Sequence, residues 1–360
     1  MTDASRKFVT PLSFEVVSQN SVFTDTFQDP LSHISLTSDA DLMVIAPATA
    51  NIVGKFAGGI ADDMLSTCFL SFKGKTVIAP AMNWRMYENP VFQKNLGYLA
   101  SLGVIQVGPE KGSLACGEDA VGRMSDVPDI MEGIRSALTG KDLSGKRIMV
   151  TAGPTREYMD PVRFMSNRSS GKMGYAIARA ALRRGAEVIL ISGPSPLKPP
   201  SGAGFVAVET TGEMRDAVMK LYKKSTVVIK AAAVADYRPA TLSRSKIKKG
   251  DADLMIRLER NPDILAEVGR KKGDCILVGF SMETEDLIKN SRAKLLSKKM
   301  DMIVANDLTK KGAGFGYDTN AVVIIDADGR IEELPLMSKL EVSDRILDKI
   351  KNIIIERRRS

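Results

Sequence analysis

Short runs of β-branched and other apolar residues alternate with helical patterns along this chain. Buried parallel strands take the form of such runs, and each parallel pair needs a crossover, usually a helix. Strand candidates lie at 41–46, 75–79 and 104–107 in the first half and at 147–151, 187–192, 206–209, 226–231, 276–280, 302–305 and 322–325 in the second. This alternation predicts an α/β fold with parallel sheets.

Length and charge predict two domains. A chain of 360 residues suits two domains of ordinary size. Residues 1–140 carry a net charge of −5 and the remaining residues carry +13, which suggests different ligands for the two halves. The polar stretch 139–146 contains two glycines and reads as a linker. We therefore predict two doubly wound, mainly parallel-sheet domains at 1–138 and 147–360.

Several function classes are excluded or disfavoured by what the sequence lacks. No apolar run approaches the ~18 residues of a membrane span, and no GxGxxG follows a strand candidate. The three cysteines are far apart, which excludes a disulfide framework or zinc finger and favours a reducing, cytoplasmic setting. We expect neither nucleic acid nor membrane as a partner.

The chemistry should lie in the segments that follow the strands, because ligands of open α/β sheets bind outside the strands' carboxyl ends. These segments are rich in small residues: 46–51 (APATAN), 79–83 (APAMN), 151–157 (TAGPTRE), 231–239 (AAAVADYRP) and 281–285 (SMETE). The SSGKMG segment at 169–174 could bind an anion at a helix start, although an ordinary helix start has the same pattern.

Three side chains in the first half could act chemically. His33 is the sole histidine and could act in catalysis. A histidine whose hydrogen bonds are satisfied within the fold would give the same sequence pattern. Cys116 lies in a glycine-containing loop and could donate a proton, or could be buried and unreactive. Asn83 could clamp a substrate carboxylate or amide, or could cap a helix or turn.

The basic second half offers groups for a phosphorylated ligand. Asp236 follows a strand candidate and could hold Mg²⁺ or a ribose hydroxyl. Lys246 begins a lysine cluster, KIKK, that suits a triphosphate but could also be a solvated run. The NPDI segment reads as a helix start with Pro262 at an early helical position.

The motifs, taken together and in order, resemble a known pair of families. APATAN, PAMNWRM and ACGEDAVGRM resemble the flavin-dependent phosphopantothenoylcysteine decarboxylases. TAGPTREYMDPVRFMSNRSSGKMG, AAVADYRP, KIKK, NPDIL, VGFSMETE and ANDL resemble phosphopantothenate–cysteine ligase. The tandem resembles the bacterial bifunctional family of coenzyme A biosynthesis. This resemblance implies a flavoprotein-like first domain and a Rossmann-like second domain.

For the first domain, the resemblance implies flavin-dependent decarboxylation of phosphopantothenoylcysteine to 4'-phosphopantetheine. His33 matches the catalytic histidine, Cys116 the cysteine that protonates the intermediate, and Asn83 and Met86 the substrate clamp. The positions that match part of the FMN site are Pro47, Ala48, Thr49 and Asn51.

For the second domain, the resemblance implies ligation of 4'-phosphopantothenate with L-cysteine through an acyl-cytidylate made from CTP. Asn167 matches the residue that engages the acyl-cytidylate, and Arg163 lies in the same motif. The nucleotide contacts implied are Asp236, Lys246, Pro262, Asp263, Ile264, Leu265, Phe280, Lys294 and Lys298. A Mg²⁺ bridging the phosphates is expected, with Asp236 as a candidate ligand.

One departure from the family leaves alternatives open. The family opens with a βα unit whose loop would cradle the flavin phosphate, and the sequence as given begins after that unit. A ligase whose first domain is an oligomerisation scaffold is therefore an alternative to the bifunctional enzyme. A nucleotide-binding oxidoreductase or regulatory module is a third hypothesis. The resemblance also implies a homo-oligomer, with a trimeric flavin domain and a dimeric ligase domain.

Overall fold

A computed structural model of the chain describes residues 1–28, 31–113, 117–249, 254–283, 285–307, 310, 312–314 and 316–359. Contacts divide the chain into two compact units, Met1–Thr139 and Gly140–Ser360. Within the described residues, no helix has both the length and the apolar character needed to cross a membrane.

The first unit is built on a small parallel sheet. Its strands run in the order β1 (Leu42–Ala48), β2 (Lys75–Pro80) and β3 (Ile105–Gln106). A separate antiparallel hairpin pairs β4 (Glu110–Ser113) with β5 (Asp119–Arg123). The helices are α1 (Asp3–Arg6), α2 (Pro11–Ser18), α3 (Ser32–Asp39), α4 (Ala50–Gly58), α5 (Met64–Ser71), α6 (Trp84–Tyr87), α7 (Pro90–Ser101) and α8 (Val127–Leu138).

Local signals explain the elements around the central strand β2. Five of its six residues are buried, as its apolar run predicts. Before it, α4 ends at Gly59, whose left-handed φ of +66° stops the helix. Asp63 then starts α5 with a reciprocal capping box to Ser66. The segment 51–72 therefore forms two helices.

The second unit contains a larger sheet. Its strands are β6 (Arg147–Ala152), β7 (Arg156–Tyr158), β8 (Phe164–Ser166), β9 (Glu187–Ser192), β10 (Gly204–Ala207), β11 (Val227–Lys230), β12 (Tyr237–Pro239), β13 (Leu258–Arg260), β14 (Ile276–Glu283), β15 (Met302–Asp307), β16 (Thr319–Asp326) and β17 (Ile331–Ser338). Its helices are α9 (Lys172–Arg183), α10 (Thr211–Leu221), α11 (Ile264–Lys271), α12 (Leu287–Ser297) and α13 (Lys339–Arg359). Two antiparallel hairpins, β7–β8 and β12–β13, stand outside the main sheet.

The main sheet has the order β10-β9-β6-β11-β14-β15-β16-β17. The first six strands are parallel, and their order reverses between β6 and β11 as in a doubly wound fold. Successive residues of β11 enter different apolar clusters: Val227 and Ile229 pack with α9 and α13, and Val228 packs with α10–α12. The sheet is therefore buried on both faces. This confirms the predicted α/β class with a mainly parallel sheet.

The structure departs from the sequence-based prediction at two places in this unit. β16 and β17 form an antiparallel edge, whereas the sequence predicted a single strand at 322–325. The sequence predicted a linker at 139–146, but residues 140–146 belong to the second unit. Leu143 is 1% exposed there, and its N–H donates a hydrogen bond to the Arg184 carbonyl.

Candidate active site

A cavity of about 540 Å³ opens at the carboxyl ends of β11 and β14. It lies beside the reversal of strand order, which is where doubly wound sheets bind ligands. Six of the residues predicted for the nucleotide and substrate site line it: Asn167, Asp236, Leu265, Phe280, Lys294 and Lys298.

The start of α9 forms one wall of this cavity. Gly171 has φ +81° and precedes the helix, and the residues from Ser169 to Gly174 line the cavity. A Cβ on Gly174 would lie 2.6 Å from the Ala152 Cβ and 3.0 Å from the Thr151 carbonyl oxygen. Only glycine lets the helix approach β6 so closely. The helix N-terminus therefore presents backbone N–H groups to the cavity, a favourable site for an anion.

Asn167 joins two loops at the cavity. It follows β8, and its Nδ2 donates hydrogen bonds to the carbonyl oxygens of Ala233 (3.2 Å) and Val234 (3.1 Å). These carbonyls belong to the loop after β11. The side chain therefore holds this loop at the point where the strand order reverses, and Asn167 itself is exposed.

The start of α11 contributes a charged pair. Asp263 is the N-cap and accepts a hydrogen bond from the Ala266 N–H at 3.0 Å, and its carboxylate lies 2.9 Å from the Lys298 Nζ. Burial alone would raise the pKa of Asp263, but the Ala266 N–H and Lys298 hold it below its usual range. The sequence predicted Pro262 at an early helical position, and this was wrong. Asp263 is the N-cap of α11, so Pro262 precedes the helix.

The other predicted residues of this half do not line the cavity in the described part of the chain: Arg163, Lys246, Pro262, Asp263 and Ile264. Lys246 is exposed. Its neighbour Ile247 is held on both sides, since its carbonyl accepts from Arg163 Nη2 at 2.6 Å and its N–H donates to Asp160 at 3.1 Å. Arg163 therefore positions the segment that carries Lys246.

Sequence reasoning missed several polar residues of the cavity. Lys172, Lys230, Asn306, Asn320 and Lys339 all line it. Asn306 lies in the ANDL motif, and its Oδ1 accepts from Asn320 Nδ2 at 2.7 Å. Burial, followed by the neighbouring Lys172 charge, lowers the pKa of Lys339 to about 8. A lysine that ends an apolar strand, as in VVIK, is a signal that could have identified Lys230.

In the first unit, the predicted flavin residues surround the end of β1. Pro47 and Thr49 are exposed and Ala48 is buried. Thr49 caps α4 by accepting a hydrogen bond from the Ile52 N–H at 3.4 Å, and Asn51 is exposed in the first turn of that helix. The carboxyl end of this strand is therefore open to a ligand.

His33 lies in the first turn of α3 and is half-buried. Its Nδ1 is buried, and within the described residues it has no hydrogen-bond partner. A buried polar atom without a partner is costly, and it calls for a specific explanation. The expectation of a histidine satisfied within the fold does not fit this nitrogen.

Asn83 caps α6 through a hydrogen bond that its Oδ1 accepts from the Arg85 N–H at 2.9 Å. This matches the structural alternative that the sequence left open for Asn83. Met86 follows in the same short helix and is 50% exposed.

The hairpin β4–β5 lies against the segment that carries Asn83. The Met82 N–H donates to the Gly122 carbonyl at 2.9 Å, and Trp84 Nε1 donates to the Glu118 carboxylate. A Cβ on Gly122 would lie 2.2 Å from the Met82 carbonyl oxygen. Cys116, predicted as a proton donor, lies outside the described residues.

Family models match both units. A flavoprotein model matches residues 1–139, and a model of the DNA/pantothenate metabolism flavoprotein C-terminal domain matches residues 143–354.

Three similar proteins illustrate the relationship. The coenzyme A biosynthesis bifunctional protein CoaBC of Bacillus subtilis (strain 168) is 48% identical over 358 residues, which cover 97% of this chain and 88% of the relative. A cysteine/cysteine sulfinic acid decarboxylase from an unknown prokaryotic organism is 43% identical over 358 residues, covering 96% and 99%. The crystal structure of the C-terminal domain of a CoaBC protein superposes with a TM-score of 0.53 and 45% identity, covering 60% of this chain and all of that one.

Proposed function

This chain belongs to the family of bifunctional coenzyme A biosynthesis proteins, since both of its units match family models and a bifunctional relative is similar along nearly its whole length. From this membership we propose its function. It acts in coenzyme A biosynthesis through a ligase activity and a decarboxylase activity.

The second unit ligates 4'-phosphopantothenate with L-cysteine. The substrate carboxylate attacks the α-phosphorus of CTP, forming an acyl-cytidylate and releasing pyrophosphate. The cysteine amine then attacks the acyl carbon and CMP leaves. One observation carries this assignment: the cavity at the strand-order reversal combines a helix N-terminus with lysines and Asn167. Phosphoryl chemistry needs such positive groups against the developing negative charge.

The residues of this cavity have separate roles in binding and positioning the substrates. The backbone N–H groups at the start of α9 and the ammonium groups of Lys294 and Lys298 bind phosphate oxygens. Asn167 holds the loop after β11 and engages the acyl-cytidylate. Asp236, exposed at the cavity, offers the carboxylate that Mg²⁺ prefers. Arg163 positions the segment from which Lys246 reaches the nucleotide.

The first unit decarboxylates phosphopantothenoylcysteine to 4'-phosphopantetheine. Its residues fit a flavin group. The strand β1 ends at exposed positions, and the buried Nδ1 of His33 has no hydrogen-bond partner among the described residues. FMN, when bound, would accept two electrons from the substrate thiol, which makes loss of CO₂ possible, and would return them to the product so that the overall reaction is redox-neutral. His33 exchanges a proton through its imidazole, and the Cys116 thiol returns a proton to the product carbon. Asn83 and Met86 orient the substrate.

Self-association is part of the proposal. Apolar side chains are exposed on both small hairpins of the second unit: Phe164 on β8 is 40% exposed, and Tyr237 on β12 is 46% exposed. Exposed apolar groups on such strands suit a protein interface. We assign them to a dimer of ligase units, with a trimer of flavin units.

The ligase assignment is tested by following pyrophosphate release from CTP and Mg²⁺. Release should require 4'-phosphopantothenate and should be insensitive to added FMN. Release without phosphopantothenate would indicate simple nucleotide hydrolysis, and no release at all from folded protein would reject the assignment. The flavin assignment is tested separately, by whether the chain binds FMN and shifts its visible spectrum.

The relative named as a cysteine/cysteine sulfinic acid decarboxylase suggests a rival activity for the first unit. Offering cysteine and phosphopantothenoylcysteine to the FMN-loaded protein separates the two. The proposal requires CO₂ from phosphopantothenoylcysteine, and CO₂ from free cysteine alone would replace it.

A further inference from the structure

Lys230 is the last residue of β11. It pairs across the sheet with Thr151 on β6 and Gly279 on β14, neither of which carries a charge. Side chains alternate along a strand, so Lys230 leaves the sheet on the same face as Val228, toward α11 and α12. Its side chain lines the cavity at the centre of the sheet's carboxyl edge.

The two other lysines on this side of the cavity have carboxylate partners. Lys298 lies 2.9 Å from Asp263, and Lys294 lies 2.5 Å from Glu283. Lys230 differs, because among the residues that the structure describes its ammonium group forms no hydrogen bond and no ion pair. Asp263 and Asp236 influence it only from a longer distance.

An unpaired ammonium in this position is unfavourable for the folded chain. Burial, and next the positive charge of Lys298, lower the pKa of Lys230 to about 8. A partly buried cation without a partner has lost contacts with water, and no protein group replaces them. Lys294 and Lys298 avoid this cost through their carboxylate partners, whereas Lys230 has no such partner among the described residues.

We propose that Lys230 binds a phosphate oxygen of the nucleotide substrate, so that bound nucleotide supplies the counter-charge with which Lys230 pairs. The inference rests on the proposed nucleotide site and adds to it a contact from the centre of the sheet. It assigns Lys230 as a binding residue that touches substrate, and it predicts that stability and affinity respond in opposite directions when the charge is removed.

The test is Lys230→Met in the full chain, because methionine keeps much of the lysine's length and removes its charge. The matched control is Lys224→Met, at an exposed lysine near the amino end of the same strand. CTP with Mg²⁺ is the probe, titrated calorimetrically into each protein, and thermal unfolding is recorded without nucleotide. We expect Lys230→Met to bind CTP at least tenfold more weakly, with a melting temperature equal to or above that of the wild type. The control should match the wild type in both measurements.

A second measurement follows the proton. Near pH 8 a fraction of Lys230 is neutral, and a bound phosphate would return it to the charged form. CTP binding should then take up protons, measured from titrations in two buffers of different ionisation enthalpy. Lys298, Asp263 and Asp236 face Lys230, and Lys339 shares the cavity, but all four are kept in the variant. The difference in proton uptake between wild type and Lys230→Met therefore reports on Lys230.

The outcomes are distinguishable. Equal CTP affinity in Lys230→Met and wild type overturns the inference and leaves the nucleotide site standing. Weaker binding accompanied by a lower melting temperature and unchanged proton uptake also overturns it, because a structural lysine would behave in that way. If the wild type itself binds no CTP, the proposed nucleotide site fails and this inference fails with it.

Discussion

Replacing Asn167 by aspartate converts two favourable contacts into unfavourable ones. Its Nδ2 donates to the carbonyl oxygens of Ala233 and Val234 at 3.2 and 3.1 Å. In the variant a carboxylate oxygen would face those same two oxygens. Each lost hydrogen bond costs about 0.5–1.5 kcal/mol, so the loop after β11 loses about 1–3 kcal/mol of positioning energy. If that loss appears in the transition state, the ligation rate falls about 5- to 150-fold.

The assay compares kcat/KM for phosphopantothenoylcysteine formation with decarboxylation by the same sample. Asn167→Ala is the matched variant, since it removes both donors without adding a charge. We expect ligation to fall in the order wild type, alanine, aspartate, while decarboxylation stays unchanged because the first unit is untouched. Equal ligation by the wild type and both variants would refute the reasoning. Parallel loss of both activities would instead indicate unfolding.

Three further predictions follow from single residues. Gly122→Leu should abolish decarboxylation and spare ligation, because its Cβ would lie 2.2 Å from the Met82 carbonyl oxygen and displace the hairpin; normal 4'-phosphopantetheine formation would contradict this. Cys116→Ser should release CO₂ without completing 4'-phosphopantetheine, because a hydroxyl is a weaker acid than a thiol; a normal product yield would remove Cys116 from the mechanism. Arg184 lowers the pKa of Asp142 from 3.8 to about 2, so Asp142 stabilises the second unit above about pH 4 and this contribution disappears as the pH falls through 2. Asp142→Asn should therefore lower the unfolding free energy by about 1–2 kcal/mol at pH 7, after discounting for its partial exposure, and by much less at pH 2, where the carboxyl group is about half protonated, as measured by urea denaturation; a pH-independent difference would contradict the assignment.

Strands buried on both faces were predictable from their own residues. The run EVILIS at Glu187–Ser192 forms β9 with the predicted bounds, because an apolar β-branched segment of that length has few alternatives. The edge strand β17, Ile331–Ser338, was missed. It mixes glutamates with apolar residues and contains Pro335, a pattern that an exposed edge tolerates and an interior strand does not.

The site was predictable only in part, because its geometry depends on contacts between distant segments. Motif order pointed to Asn167, Lys294 and Lys298 as site residues. It gave no indication that Lys298 would pair with Asp263 or that Lys230 would remain unpaired, since both depend on how α11 and α12 pack on β11. Likewise, Asp263 could be identified as the N-cap only from the position at which α11 begins in the structure. Local pattern identifies candidate groups, and tertiary packing decides which of them meet.

The most direct test of the central claim, that both units act in sequence, is mass spectrometry of the products formed by the full chain. The protein is incubated with 4'-phosphopantothenate, L-cysteine, CTP, Mg²⁺ and FMN. The account predicts 4'-phosphopantetheine, with phosphopantothenoylcysteine as its transient precursor. Accumulation of phosphopantothenoylcysteine alone would contradict the bifunctional claim and support a ligase with a scaffold domain, and the absence of both products from folded protein would contradict the account as a whole.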